Sequence, residues 1–272
     1  TAADGGNAVP TGHFQGIIAR RDESMLAAKL GVRNIPGKGL TVNVPLDSEG
    51  DGEFISTGEA TGFDRDAPAL GKKAMTLAKY TKYMDISLEL LEDEDSRLMS
   101  FIEDFVGRGM AKTHNSLLLT EVASNGTSFK TFANSSKIIF GEPEDVISNA
   151  DLAPYLEDGN SVAWVMSNPT LWHIRQIVGT DRQYYANQDM TGQSLLGYPV
   201  HISQKAAAIA SSAKSVYAGN WNFVGKREAP SFSFLRDPYS AARTGQVRLW
   251  YYFRTVYGVL QAEAVGYGAH PS

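Results

Sequence analysis

The histidines are the first residues that could carry chemistry, because they titrate near neutral pH and ligate metal ions. The five are His13, His114, His173, His201 and His270, and no two of them form an HxxxH or HExxH pair. This spacing gives no support to a metalloprotease or a simple zinc site. His114 and His173 fall on predicted helices, and we interpret them as helix-surface or interface residues.

Motifs for nucleophilic catalysis and phosphate binding are also missing from the sequence. There is no GxSxG segment, and no GxGxxG segment follows a strand pattern. Gly37-Lys38-Gly39 lacks the upstream glycine spacing and the following helix of a P-loop. The chain has no cysteine, which excludes disulfides, thiolate chemistry and cysteine-ligated metals. The sequence therefore predicts no catalytic residue, no cofactor and no metal site.

Two clusters of one residue type have a structural interpretation. The acidic run Glu92-Asp93-Glu94-Asp95 lacks the spacing of a calcium loop, and acidic residues are favoured at a helix N-terminus. The aromatic run Trp250-Tyr251-Tyr252-Phe253 could stack on nucleic-acid bases. Basic residues are not interleaved with it at high density, so this run favours a core or interface strand.

Composition limits the class of protein. The chain has 272 residues, of which 43% are hydrophobic, enough for one large domain or two smaller ones. Its 25 basic and 30 acidic residues give a net charge of −5, whereas proteins that bind the phosphate backbone tightly are usually basic. No apolar run approaches the roughly 18 residues that a membrane-spanning helix needs. We therefore expect no membrane partner.

One amphipathic helix dominates the predicted elements. Leu98, Phe101, Ile102, Phe105, Val106 and Met110 follow helical spacing and predict a helix from about Ser96 to Leu118. Gly107 and Gly109 interrupt this helix, which predicts a close-packed neighbour or a bend. Strands are predicted at 75–87, 163–166, 196–202, 215–218, 231–234 and 246–260, and a second helix follows Ser167-Asn168-Pro169.

The first quarter of the chain contains too few large apolar residues to form its own core. Residues 1–36 are rich in glycine and alanine and predict an extended arm. Residues 40–44 and 53–57 predict the two strands of a hairpin that turns at 47–52. An isolated hairpin is marginally stable in water, so we expect it to lie on a surface of its own chain or of another.

Four segments together resemble the major capsid proteins of tailed bacteriophages, which have the Hong Kong 97-type fold. The resemblance covers nearly all of the chain. The segments are Lys79–Asp93 with its Ser-Leu-Glu-Leu-Leu-Glu-Asp end, the long helix up to Asn125-Gly126, Ala163–Trp172 with its Asn-Pro pair, and Ser194–Val200. The terminal segment Gln246–Leu260 fits the last strand of the family's peripheral domain.

The resemblance implies an α+β fold in four parts. Residues 1–36 would form the N-terminal arm, and 37–74 the extended β-hairpin called the E-loop, which reaches over a neighbouring subunit. Residues 75–145 and 225–272 would form the peripheral domain with its long spine helix. Residues 146–224 would form the axial domain, which gathers five or six copies around the centre of a capsomer.

The function implied is that of a non-enzymatic shell subunit. Many copies would form the hexamers and pentamers of an icosahedral shell around double-stranded phage DNA, which is held by confinement. The virion capsid would be assembled in the bacterial host cytoplasm, with a portal, scaffolding, a maturation protease and decoration proteins as further partners. We expect that cleavage of a precursor exposed Thr1, although preceding residues or a tag could instead lie outside the numbering.

The resemblance also suggests residues that contact other subunits. The E-loop lysines are Lys38, Lys72 and Lys73, and its charged residues are Glu49, Asp51, Glu53, Glu59, Asp64, Arg65 and Asp66. Some family members join an E-loop lysine covalently to an asparagine of another subunit with the help of a glutamate. The segment 246–260 contains neither residue type, so we predict a shell without these cross-links.

Two alternatives remain open at this point. An encapsulin nanocompartment has the same architecture but packages enzymes instead of DNA. The other alternative is a hydrolase whose site matches no known motif.

Overall fold

A computed structural model describes residues 25–47, 56–59, 62, 70–89, 95–156, 161–177, 194–229 and 233–272, with the backbone alone for 95–100. The predicted arm residues 1–24 and the predicted turn at 47–52, apart from Asp47, lie outside these ranges. Within the described residues, no helix combines the length and the apolar character that crossing a membrane requires.

The described residues form short helices, one long helix and two main sheets. The helices are α1 (Leu26–Lys29), α2 (Asp95–Asn125), α3 (Glu142–Ile147), α4 (Ala153–Leu156) and α5 (Asn168–Arg175). The strands are β1 (Arg33–Asn34), β2 (Thr41–Asp47), β3 (Leu70–Thr76), β4 (Ala78–Ser87), β5 (Thr127–Thr131), β6 (Val162–Met166), β7 (Ser194–Leu195), β8 (Tyr198–Ile202), β9 (Lys214–Asn220), β10 (Val224–Glu228), β11 (Ser233–Asp237), β12 (Gln246–Val259) and β13 (Val265–Ala269).

The first sheet is built around β12. One edge of β12 pairs antiparallel with β4, and its other edge pairs with β11 and then with β10. The short strand β1 extends the sheet beyond β10. Helix α2 covers one face, where Ile102 and Val106 pack with Ile86, Leu249 and Tyr251. The apolar stripe of the helix is therefore buried on a sheet whose strands come from both halves of the chain.

The second sheet has the order β5-β13-β9-β6-β8-β7. The last strand, β13, lies between β5, to which it is parallel, and β9, to which it is antiparallel. The two neighbours β5 and β9 are therefore joined only through β13. Trp164 is fully buried in the core beside this sheet, and its indole N–H donates to the carbonyl of Leu195 at 3.0 Å. Trp221 makes the equivalent bond to Ala163 at 2.9 Å.

β5 and β13 approach each other closely at a glycine. A Cβ atom added to Gly266 would lie 1.9 Å from the carbonyl oxygen of Thr127, so only glycine fits at this point. Both strands fall in segments that the sequence assigns to the peripheral domain, yet β13 also pairs with β9, which the sequence assigns to the axial domain. The domain division stays a prediction, and the second sheet contains strands from the segments predicted as peripheral and as axial.

Several predicted elements have different bounds in the structure. The long helix ends at Asn125 instead of Leu118, because Leu119 and Val122 continue its buried stripe. The strand predicted at 75–87 breaks at Leu77, where β3 leaves the hairpin and β4 enters the first sheet. At Gly107 an added Cβ would meet nothing within 4 Å, so the close neighbour predicted there is absent from the described part of this chain.

The predicted hairpin has a different second strand. β2 pairs antiparallel with β3, from Thr41 opposite Thr76 to Asp47 opposite Leu70. The prediction that 40–44 pairs with 53–57 is wrong for this reason. Residues 53–55 lie outside the described ranges, and Ser56 and Thr57 are not in a strand. The turn signals at 47–52 favoured a short hairpin. Residues 70–76 contain too few alternating apolar residues to be identified from the sequence as its second strand.

Candidate assembly surfaces

The two-stranded hairpin β2–β3 has almost no core of its own. Along both strands, partly buried residues alternate with exposed ones, and Met75 is the only residue of the pair that is fully buried. Leu40 is 59% exposed and Leu70 is 77% exposed. A pair of strands with exposed leucines at both ends gains little from folding in isolation.

The root of the hairpin is fastened to the rest of the chain. Met75 lies about 3.5 Å from the positions that Cβ atoms would take at Gly225 and Gly258, so the absence of these side chains makes room for it. Lys73 forms an ion pair with Glu121 of α2 at 3.1 Å. At the other end of β2, the Gln261 side-chain amide donates to the carbonyl of Asp47 at 2.6 Å, so the described hairpin is held beyond its root as well.

One arginine also binds this root. Arg227 of β10 is only 2% exposed, and its guanidinium donates to three backbone carbonyls. Nη1 donates to Leu40 at 2.9 Å and to Met75 at 3.1 Å, and Nη2 donates to Gly39 at 2.5 Å. Sequence reasoning missed Arg227, since no local pattern distinguishes a buried arginine in Val-Gly-Lys-Arg-Glu from an exposed one.

The structure places four of the ten predicted contact residues. Lys38, Glu59 and Lys72 are exposed, and Lys73 is half-buried against Glu121 of its own chain. The other six lie outside the described ranges, namely Glu49, Asp51, Glu53, Asp64, Arg65 and Asp66. Contact of these ten residues with another subunit stays a prediction, and Lys73 also has a role within its own subunit.

The face of the first sheet that points away from α2 carries exposed aromatic and basic side chains. Tyr83 of β4 and Trp250 of β12 are directly opposite each other, with ring centroids 5.2 Å apart. Arg248 lies 4.7 Å above the Tyr83 ring and donates to both carboxylate oxygens of Asp85 at 2.6 and 2.7 Å. This hydrogen bond lowers the pKa of the Asp85 carboxyl.

The same face is cationic at one end and apolar at the other. Lys79 is paired across the strands with Arg254, and its ammonium lies 4.4 Å above the Tyr252 ring. Leu235 of β11, opposite Trp250, is 58% exposed, and Tyr239 in the following turn is 86% exposed. The sequence did not show basic residues among the aromatics, because they come from β4 and from alternate positions of β12.

A groove of about 400 Å³ lies between α2 and the first sheet. It is lined by Tyr80, Val106, Met110, Tyr251 and Phe253, among others. Phe105 at its margin is 41% exposed. On the second sheet, Trp172 of α5 is 53% exposed and Phe140 is 42% exposed. The described chain thus leaves large apolar side chains uncovered on both sheets.

Among the histidines of the described residues, His114 has a strongly lowered pKa. The sequence predicted a helix-surface or interface residue, whereas His114 is fully buried within its own chain between α2 and the first sheet. Its Nδ1 lies 2.9 Å from the Tyr257 hydroxyl, its ring stacks on Phe253, and its Nε2 lies 3.7 Å from Glu228. Burial, together with the charge of Lys226, lowers the pKa of His114 to about 4.

This arrangement is suited to structure and not to catalysis. The neutral imidazole bonds a buried hydroxyl, and burial raises the pKa of Tyr257, so neither group is poised to exchange protons near neutral pH. Among the described residues, no group of three or more His, Cys, Asp or Glu side chains could hold a metal ion.

Comparison with known proteins identifies the family. The sequence profile of the phage capsid family matches residues 5–269. The chain belongs to this family. This capsid subunit is a structural, non-enzymatic protein of the virion capsid, and the prediction of a bacteriophage major capsid subunit is confirmed. The encapsulin and hydrolase alternatives are not favoured.

Solved structures confirm the fold of the capsid subunit. It matches the capsid of a native GTA particle with 17% identity and a TM-score of 0.77, over 100% of this chain and 98% of that one. It matches a chain from Mycobacterium phage Adephagia with 11% identity and a TM-score of 0.74, over 100% and 98%. It also matches a chain from Gordonia phage Cozz with 15% identity and a TM-score of 0.68, over 98% of this chain and 92% of that one.

At these identities the likeness shows the fold alone, and that fold is the predicted Hong Kong 97 type. A search of curated protein sequences gives no significant match.

Proposed function

We propose that copies of this subunit form hexamers and pentamers of an icosahedral shell around double-stranded phage DNA. The observation that carries the proposal is the hairpin β2–β3, which is fixed at its root and exposes Leu40 and Leu70. Obligate interfaces bury such apolar surface against a partner and commonly exceed about 2,000 Å² in total. The family membership supports a neighbouring copy as that partner.

We assign the parts of the subunit as follows. The first sheet with α2 serves as the peripheral domain, and the second sheet, including β5 and β13, as the axial domain. Part of the predicted arm lies on its own chain, because Leu26 and Leu30 of the α1 region are buried on α2 and the Leu26 N–H donates to Asn115 at 2.7 Å. The exposed aromatic face and the hairpin then supply the contacts between copies.

The decisive experiment is electron microscopy of the expressed subunit with a hairpin variant beside it. The parent chain should give icosahedral shells. The double variant Leu40→Ser and Leu70→Ser should keep the denaturation midpoint of the subunit but lose shells. Ala153→Ser, which changes an exposed apolar residue of α4, is the control. Shells from the double variant at parental yield would contradict a role of the hairpin in assembly.

The absence of cross-links gives an independent test. The segment 246–260 lacks asparagine and glutamate, so boiled shells should run as a single band at the mass of one subunit. A ladder of covalent multimers on a denaturing gel would overturn this part of the proposal. The charged E-loop residues should act through salt-sensitive contacts, so shell yield should fall as ionic strength rises.

The further partners are proposals that follow from the family. A maturation protease that removes a scaffolding segment would shorten the subunit, which N-terminal sequencing of subunits from purified particles would reveal. Co-purification from the host would show whether a portal and decoration proteins join the shell, and microscopy of infected cells would show whether assembly occurs in the cytoplasm. Nuclease-protected DNA inside the particles would support packaging. Because the subunit has a net charge of −5, we expect the shell to confine the DNA without binding it tightly.

A further inference from the structure

The guanidinium of Arg227 lies where the hairpin enters and leaves the body of the subunit. Gly39 and Leu40 directly precede β2, whereas Met75 lies near the end of β3. One side chain therefore holds the carbonyls of both strands. Arg227 belongs to β10, which is paired with β12 at the centre of the first sheet. Through β10, the side chain thus connects the hairpin root to β12, the strand around which the first sheet is built.

The hydrogen bonds of Arg227 fix a direction as well as a distance. A guanidinium is planar and rigid, so its donors constrain the plane in which the acceptors lie. The carbonyl of Leu40 accepts both from Arg227 and from the Leu77 N–H at 3.0 Å, which links the two strand ends to each other. A lysine at this position would supply donors without a fixed plane.

Burying the Arg227 guanidinium costs free energy, so a gain in stability alone does not account for this arrangement. Arg227 is among the largest fully buried side chains, and within the described residues its Nε has no hydrogen-bond partner. Its three bonds go to neutral carbonyls, and a buried charge held in this way is often no more stabilising than an apolar residue of the same volume. Apolar burial of Met75 already attaches the hairpin to the sheet.

We infer that Arg227 is a positioning residue, which sets the angle at which the hairpin leaves the subunit. Met75 holds the root in place, and the Lys73–Glu121 and Gln261–Asp47 contacts each hold one strand farther along. Arg227 binds the carbonyls of both strand ends and selects one orientation of the two strands together. This inference rests on the proposed function, because a defined angle matters only if the hairpin must meet a neighbouring copy. Arg227→Met should therefore leave the fold of both sheets intact while the hairpin samples several angles.

The test measures the angle directly in the unassembled subunit. Because the chain has no cysteine, Lys72→Cys on β3 and Asp104→Cys on α2 give two unique sites for spin labels at exposed positions. Pulsed electron-spin distance measurements should give a narrow distribution with Arg227, a broad one with Arg227→Met, and an intermediate width with Arg227→Lys. The control is Arg33→Met, which removes an exposed arginine from β1, the strand that pairs with β10, and should leave the distribution narrow.

Shell yield, measured on the same variants without labels, connects the angle to assembly. Shell yield should fall at least about five-fold for Arg227→Met, a factor that corresponds to about 1 kcal/mol, and it should stay unchanged for Arg33→Met. A distribution that stays narrow in Arg227→Met overturns the inference, as does full shell yield from a variant with a broad distribution. If Arg227→Met does not fold, as judged by amide exchange in the second sheet, Arg227→Lys decides by the same two readouts. Failure of the parent chain to form shells would instead contradict the proposed function.

Discussion

Gly266→Ala should destabilise the subunit far more than an alanine substitution usually does. The new Cβ would lie 1.9 Å from the Thr127 carbonyl oxygen and 2.9 Å from the Phe129 ring. To reach van der Waals distance, β13 and β5 must separate by about 1.5 Å, which breaks the neighbouring ladder hydrogen bonds. Overpacking that moves backbone costs about 3 kcal/mol, so we expect the urea concentration at the unfolding midpoint to fall by about 1 M or more.

The assay is urea denaturation of the unassembled subunit, followed by tryptophan fluorescence. Trp164 belongs to β6 of the second sheet, and Trp221 directly follows β9. Both side chains are fully buried, so their fluorescence reports on loss of the sheet. Gly107→Ala is the matched control, since this helix position has nothing within 4 Å of the new methyl group and should gain up to about 1 kcal/mol. The reasoning fails if Gly266→Ala unfolds at the parental urea concentration, or if Gly107→Ala loses as much stability as Gly266→Ala.

Three further predictions address the core, the pH response and the exposed face. Met75→Ala should cost about 3 kcal/mol of unfolding free energy in urea titrations, because the side chain is fully buried; a loss below about 1 kcal/mol would contradict its role as anchor. His114 binds a proton more readily when unfolded, because its folded pKa of about 4 lies below the ordinary value of 6.5, so stability should fall as pH drops from 6.5 to 4. His114→Gln should flatten that slope, and a slope as steep as in the parent would refute the assignment. Leu235→Ser combined with Tyr239→Ser should keep the urea midpoint and lower shell yield in electron micrographs, whereas shells at parental yield would exclude this face as an interface.

The sequence predicted elements whose signal is local. The helix α2 was recognisable because its apolar residues form one stripe, and β12 because it is a long run rich in aromatic residues. The family resemblance gave the fold, since the order of several weak motifs is more specific than any one of them. Strands β5, β10 and β13 were not predicted, because they are short and two of them contain glycines that only the neighbouring strand explains.

The candidate surfaces were less predictable than the fold. The aromatic and basic side chains of the exposed face come together only through the register of β4 with β12. Similarly, Arg227 and the hairpin root are separated by more than 150 residues in the chain. His114 was predicted to be a helix-surface or interface residue. Helical periodicity shows which side of α2 carries His114, but it does not show that Tyr257 and Phe253 of β12 cover this side chain.

The place of β13 between β5 and β9 has a consequence for synthesis on the ribosome. Neither neighbour can complete its hydrogen bonds until residues 265–269 have been made, although β5 leaves the ribosome more than a hundred residues earlier. Pairing strands so distant in sequence is slow, because loop closure precedes the gain from contacts. A nascent chain therefore lacks a finished second sheet until residues 265–269 have left the ribosome. This order delays the appearance of an assembly-competent subunit until that strand is in place.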